Sequence, residues 1–425
     1  SILAVIYYEM SIELNFIVLM HKSKTSIGLV EFVALMAMMT SLTAMSIDSM
    51  LPALSEIGLD LGIQRPNDSQ LVISLLLVGM AVGQMFLGPL SDSIGRKPTV
   101  YIGFGLFIIG CLMSMLTTNF QIMLAGRMLQ GLGAAAPRVV VVALIRDLYT
   151  GREMARVMSF VMAVFILIPV VAPAFGQAIL MVGHWRWIFG SFLIIVLFIG
   201  IWFAWRQPET LSPDSRTPFS LATIGRAIRE AVTHRMVFGY TITIGLVFGA
   251  FIGYLNSAQQ VFQEQYGLGT LFPLYFALLA LSLGCAFIAN SRLVMRFGLH
   301  EISYLALKSI VALSIVFFGV ATITDGHPPL WSLTIYFILT FFGLGILFGN
   351  LNALAMKPLG HIAGVGAAVV GSLSTFISLL LGTFIGQCYN ATVLPLIGGF
   401  AIFSITAILV MRWVESKEPL PQASQ

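Results

Sequence analysis

The chain has 425 residues, 58% of them hydrophobic and only 9% charged, with a mean hydropathy of +0.96. Soluble domains carry roughly 25% charged residues, so a water-soluble fold is excluded and lipid must be the solvent. The net charge of +4 does not point to nucleic acid, because the cations sort by side of the membrane, as set out below.

Residues 1–26 are expected to be an N-terminal extension. The stretch SILAVIYYEMSIELNFIVL is moderately apolar but carries Glu9 and Glu13, and Met20, followed by HKSKTS, reads as a more natural start. No cleavable signal peptide is evident. A bilayer-spanning helix needs about 20 apolar residues. Twelve segments qualify: 27–51, 69–91, 99–117, 120–144, 154–181, 187–206, 236–258, 270–292, 302–324, 330–354, 361–387 and 391–414. Transmembrane β-strands would instead read as alternating segments of about 10 residues, a pattern the sequence does not show. The one long polar break, 207–235, holds three prolines and is basic, with a short interfacial helix expected at 219–233. The predicted fold is an all-α membrane protein: two pseudo-symmetric six-helix bundles at 27–206 and 236–414, the linker at 207–235, and a tail at 415–425. Repeated halves of this kind place a substrate site between them near the midplane.

Seventeen of the 22 Lys and Arg fall on one side of these twelve crossings, two (Arg65 and Arg186) on the other, and three (Arg127, Arg138 and Lys308) inside spans. Cytoplasmic loops are enriched in Lys and Arg. Both termini are therefore expected in the cytoplasm of a multi-pass inner-membrane protein.

Ionisable groups inside a bilayer are expensive and mark functional sites. Asp48 lies one turn before Pro52 near the outer end of span 1, and Arg127 lies two turns into span 4, at similar depth. Burial favours the neutral form of a carboxyl and a nearby arginine favours the charged form. An acid that gains and loses the influence of Arg127 between two conformations would bind and release a proton; alternatively, Asp48 is a helix-end acid facing water and Arg127 an interhelix hydrogen-bonder. Arg138 follows Arg127 by eleven residues and returns to the same face, with Gly131 and Ala134 between them. Glu31 opens span 1 and either contacts Arg138 or a cationic substrate, or is simply solvated. Asn256, Gln260 and Gln263 sit at helical spacing near the end of span 7, flanked by Phe251 and Tyr254. They are read either as cavity-lining groups or as a wet helix end. Lys308 is expected to snorkel to the interface. Cys111, Cys285 and Cys388 lie in apolar spans and read as small packing residues. No Walker loop, His relay or metal cluster is present in the sequence, so no cofactor, no metal and no enzymatic chemistry are expected.

GPLSDSIGRKP (residues 88–98) is the most polar turn between spans, with Asp92, Arg96 and Lys97 in eleven residues. Its acid either caps a nearby helix start or pairs with Arg96, and Pro98 suits the first turn of span 3. The pattern Gly88-x-x-x-Asp92-x-x-Gly95-Arg96-Lys97 resembles the loop 2–3 motif of the major facilitator superfamily. AGRMLQGLGAAAPRVV in span 4 resembles that superfamily's fourth-helix motif, centred here on Arg127. PVVAPAFGQ in span 5 is similar to its antiporter motif: Pro173 and Gly176 match, while Pro169, Ala172 and Gln177 depart from it. SIDSMLPAL, RDLYTGREMARVMSF and GHWRWIF look like the Bcr/CflA drug-efflux family of proton antiporters. The resemblance covers the chain from about residue 27. It implies a conformational latch at Gly88, Asp92, Gly95 and Arg96, the acid engaging the start of span 11 near Gly360–Gly364 when the cytoplasmic side is shut. It also implies a monomeric exporter of small amphiphilic molecules that exchanges them for protons across the lipid bilayer. Export of a metabolite such as a nucleoside or amino-acid derivative, and a non-transporting membrane sensor or scaffold, are the alternatives.

Overall fold

The computed structural model describes residues 27–416; the expected extension and most of the tail lie outside the described residues. Among the described residues, twelve helices are long and apolar enough to cross a membrane. Span 1 is Leu29–Asp48, followed by a 3-10 turn (Leu51–Ala53) and a short helix (Leu54–Asp60). Spans 2 to 6 are Leu71–Ile94, Arg96–Leu116, Phe120–Leu148, Gly151–Val182 and Arg186–Arg206. The linker helix is Leu221–Thr233. Span 7 is Arg235–Gln259, prolonged by a π-helical turn, Gln260–Gln265. Spans 8 to 12 are Phe272–Phe297, Leu299–Ile323, Leu330–Met356, Ala363–Gln387 and Leu394–Glu415.

Helix is the only way a lipid-exposed segment can satisfy its own backbone, and the packing then follows from side-chain size. Span 2 packs on span 4, span 3 on spans 4 and 6, and span 1 on span 5; the same set recurs six spans later as 8 on 10, 9 on 10 and 12, and 7 on 11. Across the divide, span 2 meets span 11 and span 5 meets span 8. That exchange of partners is what a two-fold relation between the halves requires. The closest approaches occur where glycine removes the side chain: a Cβ on Gly131 of span 4 would lie 1.8 Å from the Leu76 carbonyl oxygen of span 2.

Two details differ from expectation. Span 2 stays helical through Pro89 to Ile94, so the polar stretch at 88–94 is helix end rather than turn, and Gly95 alone (φ +114°) reverses the chain into span 3. Gly298 (φ +83°) does the same between spans 8 and 9. Both values lie in the region glycine enters without steric cost. Of the cysteines, Cys111 is buried, whereas Cys285 and Cys388 are exposed, and Cys388 caps the end of span 11. The packing role expected of all three therefore holds for Cys111 alone.

Candidate functional site

Span 1 stops being α-helical at Asp48. The Met50 amide bonds the Ile47 carbonyl three residues back, and Pro52 in the following 3-10 turn has no N–H to give. The Ser46 carbonyl is thereby left for another partner. Arg127 of span 4 supplies it: Nη2 donates to Ser46 O at 2.8 Å, Nε to Val72 O of span 2 at 2.9 Å, and Nη1 to Gln130 Oε1 at 2.6 Å. Its guanidinium also lies over the Phe189 ring of span 6, 5.7 Å from the centroid. Arg127 is fully buried and ties spans 1, 2, 4 and 6 together; among the described residues it forms no ion pair with Asp48.

Asp48 is 5% exposed, and among the described residues no hydrogen bond or ion pair reaches its carboxyl. It ends a stripe on span 1 at helical spacing, Val30, Ala34, Met38, Ser41, Met45 and Asp48, most of whose positions keep some accessible surface. Gly176 of span 5 braces the same place from the other side, since a Cβ there would lie 2.0 Å from the Ser49 carbonyl oxygen. Pro173 and Pro169 lie within the span 5 helix one and two turns nearer its start.

Tyr254 of span 7, in the second half, is close enough to Asp48 to interact with it electrostatically. Its ring is fully buried among Phe251 (6.2 Å, stacked), Phe341 (4.8 Å) and Phe337 (5.3 Å), and its hydroxyl has no partner. Asn256 accepts from Ser74 of span 2 at 3.4 Å, leaving its amide nitrogen unpartnered. Gln260 belongs to a different assembly. Its amide nitrogen donates to Asn67 at 2.9 Å, its carbonyl oxygen accepts from Gln70, and Asn67 bonds the Gln387 and Tyr389 carbonyls. With Thr383 bonded to Ser74 at 3.0 Å and Ser55 to Glu264 at 3.0 Å, these amides join the halves at the end of the molecule opposite the termini. Gln260 therefore closes that end and is not free to line a cavity.

Glu31 is also committed. Arg206 of span 6 grips both its oxygens at 2.6 Å and Trp202 donates at 3.0 Å, so of the contacts read for Glu31 the one with Arg138 is not made: span 6 approaches it more closely. Lys308 lies over the Tyr304 ring at 4.3 Å. Among the described residues Arg138 makes only one polar contact, with Met80 Sδ at 3.6 Å.

At the terminal end Asp92 pairs with Arg96 at 2.5 Å, and Arg96 also bonds Ser91 at 2.7 Å and Asp147 of span 4 at 2.9 Å. Of the two roles read for the acid, pairing with Arg96 is the one seen. Arg146, rather than Asp92, reaches the start of span 11, its guanidinium 3.5 Å from where a Cβ of Gly364 would be. Gly88 lies against Ala368 of span 11. The linker crosses this turn as a strap. Glu209 accepts from the Arg96 and Lys97 amides at 3.0 and 2.9 Å, the Thr217 amide donates to Asp92 O, and Phe219 N donates to Ser93 Oγ. Burial pushes the Glu209 carboxyl up, but the amides of Leu211, Lys97, Arg96 and Thr210 outweigh it and hold the group below the usual carboxylate range.

Sequence reasoning did not single out Asp147, Glu209, Asn67 or Gln70. Asp147 carried a signal, lying beside Arg146 in RDLYTG. The amides carried none, because a polar helix end looks the same wet or paired.

The model of the Major Facilitator Superfamily matches residues 34–383. Over 379 residues the chain is 32% identical to YdgK, an MFS-type transporter of Bacillus subtilis, covering 88% of this chain and 92% of that one. It is 27% identical to a bicyclomycin resistance protein homolog of Haemophilus influenzae (91% and 96% covered) and 28% identical to the multidrug resistance protein MdtL of Escherichia fergusonii (88% and 93% covered). Among solved structures, the xylose transporter XylE of E. coli, partially occluded and inward-open, superposes with a TM-score of 0.71 over 91% of this chain and 97% of that one, at 13% identity. The shared helix order, the crossed contacts between halves and the sequence match lead to one assignment: the chain belongs to the major facilitator superfamily and is a membrane transporter of that fold.

Proposed function

We propose that this transporter exports small amphiphilic drugs from the cytoplasm across the inner membrane, exchanging them for protons by alternating access. The observation that carries the reading is Asp48: a carboxyl with no partner among the described residues, at the end of a partly accessible stripe and within electrostatic reach of Tyr254 in the other half. Taking an isolated carboxylate out of water costs several kcal/mol, and nothing around Asp48 offsets that cost. A proton or a cationic substrate group does, and the two exclude each other. That competition is the coupling an exchanger needs. The hydrogen bonds between halves gather at the end away from the termini, which favours a state in which protons and drug meet Asp48 from the terminal side. The relatives named for bicyclomycin and multidrug resistance support the drug class.

Arg127 acts in this reading by holding the helix end that carries Asp48, through Ser46 O. The Asp92–Arg96–Asp147 cluster is the latch. Closing the terminal side would bring the acid to the start of span 11, where a helix N-terminus favours an anion and where Arg146 now sits. The test is proton movement in inverted vesicles acidified by respiration. A transported drug should cause alkalinisation in the wild type, and Asp48→Asn should abolish it while drug still binds. Unaltered gradient-driven efflux in that variant would refute the assignment.

A further inference from the structure

The two arginines of span 4 are handled in opposite ways. Arg127 is satisfied by three acceptors; Arg138 has none among the described residues, only the Met80 sulfur at 3.6 Å. Arg138 is enclosed by the helix bundle yet keeps accessible surface.

It does not snorkel. Spans 2 and 4 run in parallel, and Gly83 meets Ala135 while Gly88 meets Val139, which sets Arg138 level with Leu87. Met80 lies seven residues further from the terminal end, about 10 Å at 1.5 Å per residue. Side chains on a helix lean toward its N-terminus, which for span 4 is the far end. The guanidinium thus rises toward the midplane, away from the interface where a solvated arginine would put it.

Gln84 stands one turn from Met80 on the same face of span 2. Its side-chain nitrogen is buried without a partner, and its amide oxygen lies 3.7 Å from where a Cβ of Gly371 on span 11 would be. Thr43 bonding to Ala134 O at 3.3 Å fixes the depth of span 1, and the Ser41 hydroxyl, at the depth of this guanidinium, is unpartnered as well. Polar groups of spans 1, 2 and 4 therefore lie at similar depth near the divide between the halves, and among the described residues neither the Arg138 guanidinium nor the Gln84 amide nitrogen is bonded to an oxygen.

We propose that Arg138, assisted by Gln84, binds a carboxylate carried by the transported molecule. The inference rests on reading the space between the halves as the transport path, and it narrows the substrate class to amphiphiles bearing an acid. With Asp48 about two turns deeper, the path suits zwitterions, amine toward Asp48 and carboxylate on Arg138. A planar guanidinium takes a carboxylate through two parallel hydrogen bonds, and the unmatched donors beside it disfavour analogues that lack the anion.

The test uses the purified full chain in neutral detergent and three probes read by naphthalene emission: 2-naphthoate, 2-naphthylmethylamine and the neutral 2-naphthylmethanol. Naphthoate should bind the wild type, at least tenfold more weakly to Arg138→Gln, and at intermediate strength to Arg138→Lys, while the amine is unaffected by either change. Gln84→Leu should weaken naphthoate several-fold. Because Arg138 is an unmatched cation, Arg138→Gln should raise the unfolding temperature, opposite to the outcome for a residue that holds the fold. No binding of naphthoate to the wild type, or equal binding to Arg138→Gln, overturns the proposal. If naphthoate depends on Arg138 while Asp48→Asn leaves proton movement intact, proton coupling fails and the carboxylate site stands. The converse result leaves coupling and removes the site.

Discussion

At the scale of single residues, the region around Asp48 is defined by what presses on the end of span 1. Arg127 takes the Ser46 carbonyl and Gly176 lies directly against the Ser49 carbonyl, so the turn carrying the acid is held from two helices. Gly176→Ala puts a methyl carbon 2.0 Å from a backbone oxygen that cannot swing aside. Overpacking of this kind typically costs about 1–3 kcal/mol. A lower unfolding temperature together with lost export is expected, and an unchanged melting curve would show that span 5 yields more easily than the packing implies. The change should also displace Asp48 without altering any titratable group, which separates position from charge. Asp48 and Arg127 were legible in the sequence because a charge inside an apolar run stands out. Their lack of mutual contact was not, since depth along two helices says nothing about which way each side chain turns. Arg127 turned to the Ser46 carbonyl freed by the 3-10 tightening before Pro52, and Glu31 to Arg206 for a similar reason: the partner came from a neighbouring helix whose rotation only packing decides.

At the scale of elements, the linker is the least expected participant. Its composition marked it as a polar connection, and the amphipathic helix at Leu221–Thr233 was anticipated at nearly the same place. What composition cannot carry is register, and it is register that lays Glu209 across the amides of Arg96 and Lys97 at the opening of span 3. A carboxylate there satisfies two of the N–H groups every helix start leaves over. Glu209 is held below the ordinary carboxylate range in the folded chain, so its contribution is present above that range and is lost as pH falls through the lowered value. The strap should accordingly stay docked from pH 8 to pH 5, and proteolysis in the segment 207–217 should be equally slow across that interval. Glu209→Gln should speed cleavage several-fold at every pH tested, because the neutral amide is a weaker acceptor. Cleavage as slow as in the wild type would mean that the contacts of Thr217 and Phe219 suffice to dock the linker.

For the whole molecule, the sequence disclosed the architecture almost completely, since twelve apolar runs with sided charge leave few folds open. It disclosed little of the closure at the far end, because Asn67, Gln70, Gln260 and Gln387 are unremarkable polar residues until two halves are brought face to face. That closure is built mostly from uncharged amides. Each buried hydrogen bond contributes about 0.5–1.5 kcal/mol net, and Gln70 donates two across the divide, to Gln260 and to the Gly386 carbonyl. Gln70→Ala should shift the balance toward the state open at the far side by roughly tenfold, the equivalent of about 1.4 kcal/mol. The shift can be read from a cysteine at Met45→Cys, with Cys285 and Cys388 replaced by serine, labelled from outside the cell by an impermeant maleimide. An unchanged rate would mean that the amides do not gate that side. Neutral amides have no titration of their own, so any pH dependence of the labelling rate, corrected for the thiol itself, must originate elsewhere. Asp48→Asn placed in the same reporter should flatten that dependence while leaving the effect of Gln70→Ala intact. If the dependence survives in the Asp48→Asn chain, the proton acts at another group and the coupling assigned to span 1 has to be moved.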